Sequence, residues 1–157
     1  MQLFFSYGHD QNSIIVERLK RDLEKKGHQV WIDFDKIKAG NDWRRKITTG
    51  ILESDMVVSF ASKHSLRNPG VCLDELTIAV CVKGAQVQSV LLETDVEPPS
   101  NLSYRQYIDM SEWKKHMEKG DFDDWYAQEF QELIKVINSP ETKKYADEIE
   151  YLRKKLK

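Results

Sequence analysis

Two cysteines are all that this chain of 157 residues holds, and so few exclude a disulfide framework. Cys72 and Cys81 fall on one helix of the pattern read below. A helix turns about 100° and rises about 1.5 Å per residue, which puts the pair on opposite faces and about 13 Å apart. A disulfide needs Cα atoms within about 7 Å, so these two do not bond each other. His9, His28, His64 and His116 are scattered. Neither they nor the cysteines have metal-site spacing, so no metal is expected. Neither sign of charge dominates: 24 basic and 26 acidic side chains leave a net −2, without the basic footprint of a nucleic-acid partner. No apolar run reaches the roughly 18 residues that cross a bilayer, and no charged-then-apolar leader precedes the first strand. A cytosolic setting without a membrane partner is expected. Gly-x-Gly-x-x-Gly and Walker-type loops are missing too, which excludes an ordinary dinucleotide fold and a P-loop enzyme.

What is present is a soluble balance of 40% hydrophobic and 32% charged residues, at a length for one domain rather than two. Leu3-Phe4-Phe5-Ser6 reads as a buried strand ending in Ser6-Tyr7-Gly8. Asp10 is placed to cap a helix whose Val16, Leu19 and Leu23 recur at helical spacing until Gly27 closes it. Gln29 to Asp33 is a second strand, Phe34 to Asn41 a charged loop, and Asp42 a cap for a helix with Trp43, Ile47 and Ile51 on one face. Met56 to Phe60 is a third strand, Val87 to Leu92 a fourth, and Tyr107-Ile108 a short fifth. A helix around Trp125, Phe130, Leu133 and Ile137 follows.

Apolar strands alternating with helices predict a parallel sheet covered on both faces. Functional residues in such sheets gather beyond the carboxyl ends of the strands, where strand order reverses. Those ends are Ser6-Tyr7-Gly8, Asp33 onward and Ala61-Ser62, and the segment Asn68 to Leu76 starts just after the last. It opens an apolar helix, Leu73 to Val82, with two adjacent carboxylates, Asp74 and Glu75. At about 100° apart they cannot share a face, so one can meet water while the other looks into a cleft. From the helix alone, the favourable field at a helix N-terminus accounts for both.

Ser139-Pro140-Glu141 is a second strong helix start, with a cap and proline at the first helical position. Tyr145, Ile149, Leu152 and Leu156 follow at spacings of four, three and four. That stripe reads as a coiled-coil seam, a connector or a helix packed back on its own domain. The expected division is a domain over 1–138 and a connector or association helix over 139–157.

Taken in order, these segments resemble a TIR domain. The resemblance rests on Phe5-Ser6-Tyr7 with Asp10 after it, Gly27, Trp31-Ile32-Asp33, and the loop Lys36 to Gly40. Trp43 and Ile47, Ser54-Asp55, Val57-Val58, Ser62, and Cys72 with Glu75 complete it. It covers about Gln2 to Trp113, and among TIR domains it is most similar to bacterial ones. The resemblance implies a flavodoxin-like sheet of five parallel strands, order 2-1-3-4-5, with helices on both faces. Many TIR domains cleave NAD at the nicotinamide–ribose bond, and the family's catalytic glutamate falls on Glu75. Enzymes of the family often carry tryptophan four residues earlier, where this chain has Val71. In this family the loop over Phe34, Asp35, Lys36, Ile37, Lys38, Ala39 and Gly40 often packs against a neighbouring copy, so a homo-oligomer or another TIR domain is the implied partner.

One carboxylate is enough for that chemistry. Most glycoside hydrolysis uses two, one of them to protonate the leaving oxygen. The nicotinamide of NAD already carries a positive charge and leaves neutral, so no general acid is needed. NAD is then the substrate, and no cofactor is expected. An ionised Glu75 would hold ribose hydroxyls and face the charge that builds on the sugar. Ser6, Tyr7 and Gly8 at the first strand end and Trp43 are the candidate substrate contacts beside Val71, with Arg44 or Arg45 as charge partners. For Trp43, core packing on its helix stripe is the slightly better fit. His9 and His64 read as surface residues. The competing function is a non-catalytic TIR adaptor that assembles TIR domains. A phospho-receiver is excluded because the third strand ends Phe60-Ala61-Ser62, without an aspartate. A flavin site is excluded because Tyr7-Gly8-His9-Asp10 is a poor phosphate loop.

Overall fold

The computed structural model describes residues 1–8, 10–32, 43–66, 77, 79, 86–96 and 106–156, with residues 43 and 44 described by backbone only. Five strands form one sheet: β1 (Gln2–Ser6), β2 (Gln29–Ile32), β3 (Met56–Ala61), β4 (Val87–Leu91) and β5 (Ile108–Asp109). Their order is β2-β1-β3-β4-β5, and every pair is parallel. The flavodoxin-like order expected from the sequence is the order found. Five helices are bounded among the described residues: α1 (Ser13–Lys25), α2 (Trp43–Glu53), α3 (Trp113–Lys119), α4 (Phe122–Ile137) and α5 (Pro140–Lys155). Thr77 and Ala79, between β3 and β4, are helical as well.

Alternation of side chains along each strand divides the apolar residues between two faces. Leu3, Phe5, Met56, Val58 and Phe60 point to one, where Ile15, Val16, Leu19 and Leu23 of α1 and Phe130, Leu133 and Ile137 of α4 cover them. Phe4, Val57 and Val87 point to the other, against Ile47 and Ile51 of α2 and Ala79. Being covered twice is why these strands read as unbroken apolar runs rather than alternating ones. On the second face α2 comes close to the sheet at Gly50. A Cβ there would lie 3.0 Å from the Trp31 ring and 3.1 Å from the Phe4 ring.

A polar cluster fastens α1 to α4. The Tyr126 hydroxyl donates to Asp22 Oδ2 at 2.8 Å, and Arg18 Nε donates to the same oxygen at 2.9 Å. The Arg18 guanidinium lies 4.5 Å above the Tyr126 ring. Burial works to raise the Asp22 carboxyl, but the hydrogen bonds from Tyr126 and Arg18 outweigh it and hold it below its ordinary value. Burial, then the bond to Asp22, pushes the Tyr126 phenol up.

Several boundaries differ from those read in the sequence. Asp10 does not cap α1: the helix starts at Ser13 with Asn12 in the cap position. Both Asp10 oxygens are engaged elsewhere, as described below. β3 runs one residue longer than expected, β4 one shorter, and β5 is shifted by one, displacements ordinary for element ends. The α3 helix was not anticipated. Gly27 does end α1, at φ +92°. Ser139 caps α5 as expected, its Oγ accepting from Thr142 N at 3.2 Å. The capping expected of Asp42 and most of the Leu73 to Val82 helix lie outside the described residues.

Candidate functional site at the carboxyl-end rim

Strand order reverses at β1, which is flanked by β2 and β3, so the crevice of this fold opens beyond the carboxyl ends of β1 and β3. Two short loops meet there. After β1 the chain runs through Tyr7, Gly8 and Asp10 into α1; after β3 it makes a turn over Ser62 to Ser65. The Ser62 hydroxyl donates to Asp10 Oδ2 at 2.6 Å. Asp10 Oδ1 accepts from the Asn12 backbone at 2.9 Å and from Asn12 Nδ2 at 2.8 Å. Within the turn, Ser62 N donates to Ser65 Oγ at 2.8 Å and Ser65 N to Ser62 Oγ at 3.0 Å. Each serine thus folds the backbone of the other, an arrangement that two hydroxyls three residues apart can make without a helix.

Gly8 fits between these loops because it has no side chain. A Cβ would come 2.9 Å from His64 Cδ2, 3.2 Å from Asp10 Oδ2 and 3.2 Å from Ser65 N. Glu93, just past β4, adds a clamp: its Oε1 accepts from Lys63 N at 2.7 Å and its Oε2 from Gln11 Nε2 at 2.8 Å. From the far side, the Trp113 indole N–H donates to Asn12 Oδ1 at 3.2 Å in a buried bond. The loops that follow β1, β3 and β4 and the first residue of α3 are therefore joined by named hydrogen bonds.

The sequence-derived candidates fall in three groups. Ser6, Tyr7 and Gly8 lie at the rim. Ser6 is buried and pairs with Ser59 across the sheet, whereas Tyr7, 7% exposed, packs with the α1-side core. Glu75, Val71 and the loop Phe34 to Gly40 lie outside the described residues, as do Asp33, Asp42 and His9. Trp43 begins α2, its side chain and that of Arg44 undescribed. Arg45 lines a cleft of about 670 Å³ with Lys46, Thr49, Glu53, Trp31 and Gln29. That cleft lies between α2 and the β1–β2 strands and reaches Gln2 at the amino end, not the rim.

Asn12, Ser65, Glu93 and Trp113 were missed as rim residues. Asp-x-Asn after the first strand and Ser-x-x-Ser after the third were the available signals, since both are loop-ordering side-chain patterns. Glu93 and Trp113 gave none, because their roles depend on which strand ends are neighbours. Among the described residues no group of His, Cys, Asp or Glu could hold a metal, and no helix is long and apolar enough to cross a membrane.

Parallel strands in the order 2-1-3-4-5, with a hydrogen-bonded rim at the reversal, define the flavodoxin-like doubly wound class. The family model described as TIR domain matches residues 3–133, and the chain belongs to that family. It is similar in fold to the TIR domain of the Toll-related receptor TRR-2 from Hydra magnipapillata. That likeness has 18% identity over 81% of this chain and 96% of that one, with a TM-score of 0.59. It is also similar to the CMP N-glycosidase BcmB of Clostridium botulinum, at 22% identity, coverages of 77% and 98%, and a TM-score of 0.53. A prokaryotic SEFIR domain matches at 16% identity, 76% and 95%, and 0.53. At these identities the likeness is one of fold. No functionally curated protein matches the chain in sequence.

Proposed function

We propose that the chain is an NAD glycohydrolase that breaks the nicotinamide–ribose bond, with Glu75 as its catalytic residue. The observation that carries this reading is TIR-family membership over residues 3–133, together with a glutamate at position 75, the position that the sequence resemblance implies for the family's catalytic glutamate. The CMP N-glycosidase similar in fold adds support, because it too is named for splitting an N-glycosidic bond of a nucleotide. As the bond lengthens, its electrons move onto the pyridinium nitrogen and nicotinamide departs neutral, leaving positive charge on the ribose. An ionised Glu75 faces that charge and holds ribose hydroxyls, an interaction stronger in the transition state than in the ground state. Water then adds to the sugar carbon, yielding ADP-ribose and a proton; attack by the adenine of the same molecule yields a cyclic product. Ser6, Tyr7, Gly8, Trp43 and Val71 are the candidate substrate contacts.

Self-association through the loop Phe34 to Gly40 completes the reading. Activity then rises with local concentration, as suits a cytosolic bacterial defence or signalling enzyme that consumes NAD on assembly. The test is nicotinamide release from NAD by concentrated protein, beside Glu75→Ala and Glu75→Gln, with CMP as a second substrate. Loss of one preorganised contact of this kind removes about two to three orders of magnitude in rate. Equal background release by all three proteins would sink the enzyme reading. Release of cytosine but not nicotinamide would move the substrate from NAD to CMP.

One observation favours a second reading. Val71 stands where the family's enzymes often have tryptophan, and an isopropyl group offers no flat face for a ring. A non-catalytic TIR adaptor, assembling with other TIR domains, predicts concentration-dependent association without turnover of either nucleotide.

A further inference from the structure

We propose that α5 pairs with α5 of a second copy of this chain in an antiparallel, two-fold arrangement. Thr142 is buried, and Ala146, Ile149 and Arg153 are half-buried. At about 100° per residue these four share one side of the helix. That side meets the domain: Thr142 Oγ1 donates to the Val136 carbonyl at 2.9 Å, and Arg153 lies 3.6 Å from Asp55. The adjoining side carries Tyr145, Leu152 and Leu156, exposed by 37%, 56% and 88%. Single exposed leucines are ordinary, but an aligned series on one helix marks a contact surface. With Ile149 at its inner margin, the series has the four-three-four spacing of a two-helix seam.

The charges beside the seam identify its occupant. In a parallel pair, one flank of each helix faces the opposite flank of the other. Here the flank with Ala146 and Arg153 is turned to the helix's own domain. Antiparallel pairing brings like flanks together, and the free flank carries Glu141, Glu148 and Lys155. Setting Ile149 against Leu152 of the second copy places Tyr145 against that copy's Leu156 and Glu148 beside its Lys155. Two-fold symmetry makes each contact occur twice. Every seam residue then has an apolar neighbour, and Glu148 and Lys155 each have one of opposite sign. Four seam side chains per copy bury less than the roughly 1,200 Å² of a stable interface. The pair is therefore weak, and its use is to raise the effective concentration for any other contact between copies. It does not depend on the catalytic reading.

Sedimentation equilibrium of the full chain, from about 10 μM to about 1 mM, tests this over the range set by a short interface. A monomer–dimer equilibrium is expected. Leu152→Glu should weaken it about tenfold or more, with helical circular dichroism retained because Leu152 faces solvent in the monomer. Glu148→Lys and Lys155→Glu should each weaken it about three- to tenfold, and the two combined should recover wild-type association to within about threefold. A monomer throughout, a dimer unmoved by Leu152→Glu, or a combined variant no better than either single one would overturn the proposal.

Discussion

Asp10 Oδ2 receives the Ser62 hydroxyl at 2.6 Å while Asp10 Oδ1 holds Asn12 by its backbone and side-chain amides, so a single carboxylate joins the loops after β1 and β3. Asp10→Ala leaves one hydroxyl and two N–H groups without their acceptor in a partly buried setting. The expected cost is about 1–3 kcal/mol by urea unfolding, with Ser62→Ala costing about 1 kcal/mol. An Asp10→Ala protein as stable as wild type would show that water replaces these bonds.

Gly8→Ala tests the rim by steric means. The added methyl meets the Ser65 backbone as well as the movable His64 ring, so the Ser62 to Ser65 turn must shift. On the proposed reading nicotinamide release should fall about tenfold, since the turn gives by a few tenths of an ångström where about 1 Å can cost about a hundredfold. The unfolding midpoint should fall by no more than a few degrees, about 1 kcal/mol. Unchanged turnover would separate this turn from the reaction.

Gly50→Ala sets two effects against each other. Alanine inside a helix gains about 0.5–1 kcal/mol over glycine. Overpacking costs about 1–3 kcal/mol, and the added methyl meets the half-buried Trp31 ring at 3.0 Å and the fully buried Phe4 ring at 3.1 Å. Net destabilisation of about 1 kcal/mol is expected by thermal or urea unfolding; a gain would mean that Trp31 gives way.

The α1–α4 cluster should appear in the pH dependence of stability. The folded Asp22 carboxyl is depressed below its ordinary value of 3.8. Its contribution is therefore complete above that value and is lost as the pH falls through the folded one. The Tyr126 phenol is raised above 10.0, so its contribution is complete below pH 10 and is lost as the unfolded chain ionises above it. Tyr126→Phe removes the bond to a charged acceptor. It should cost about 1.5–3 kcal/mol at neutral pH, a difference that narrows in acid once Asp22 protonates. A constant difference from pH 7 to pH 2 would contradict the assignment.

Much of this was legible beforehand, for identifiable reasons. The runs Leu3 to Ser6 and Met56 to Phe60 could be read as buried parallel strands because two covered faces leave no polar alternation to find. Gly27 could be read as a helix end because a left-handed residue must follow α1 there. Asp10 was misread because an aspartate before a helix usually caps it, and nothing local reveals a serine 52 residues away competing for its oxygen. α3 escaped because Trp113 turns inward to the core while Lys114, Lys115 and Glu118 face water, a single inward anchor rather than a period. Of the candidate site, the strand-end glycine and serine follow from topology. The clamp from Glu93 does not, since it needs β3 and β4 side by side.

The bond from Trp113 to Asn12 makes one indole a built-in optical reporter. Its N–H is buried against the loop that enters α1, so any ligand that pulls that loop alters the polarity sensed by the excited ring. Emission excited at the tryptophan edge can then follow occupancy without a dye, and Trp113→Phe would identify how much of the signal this ring supplies.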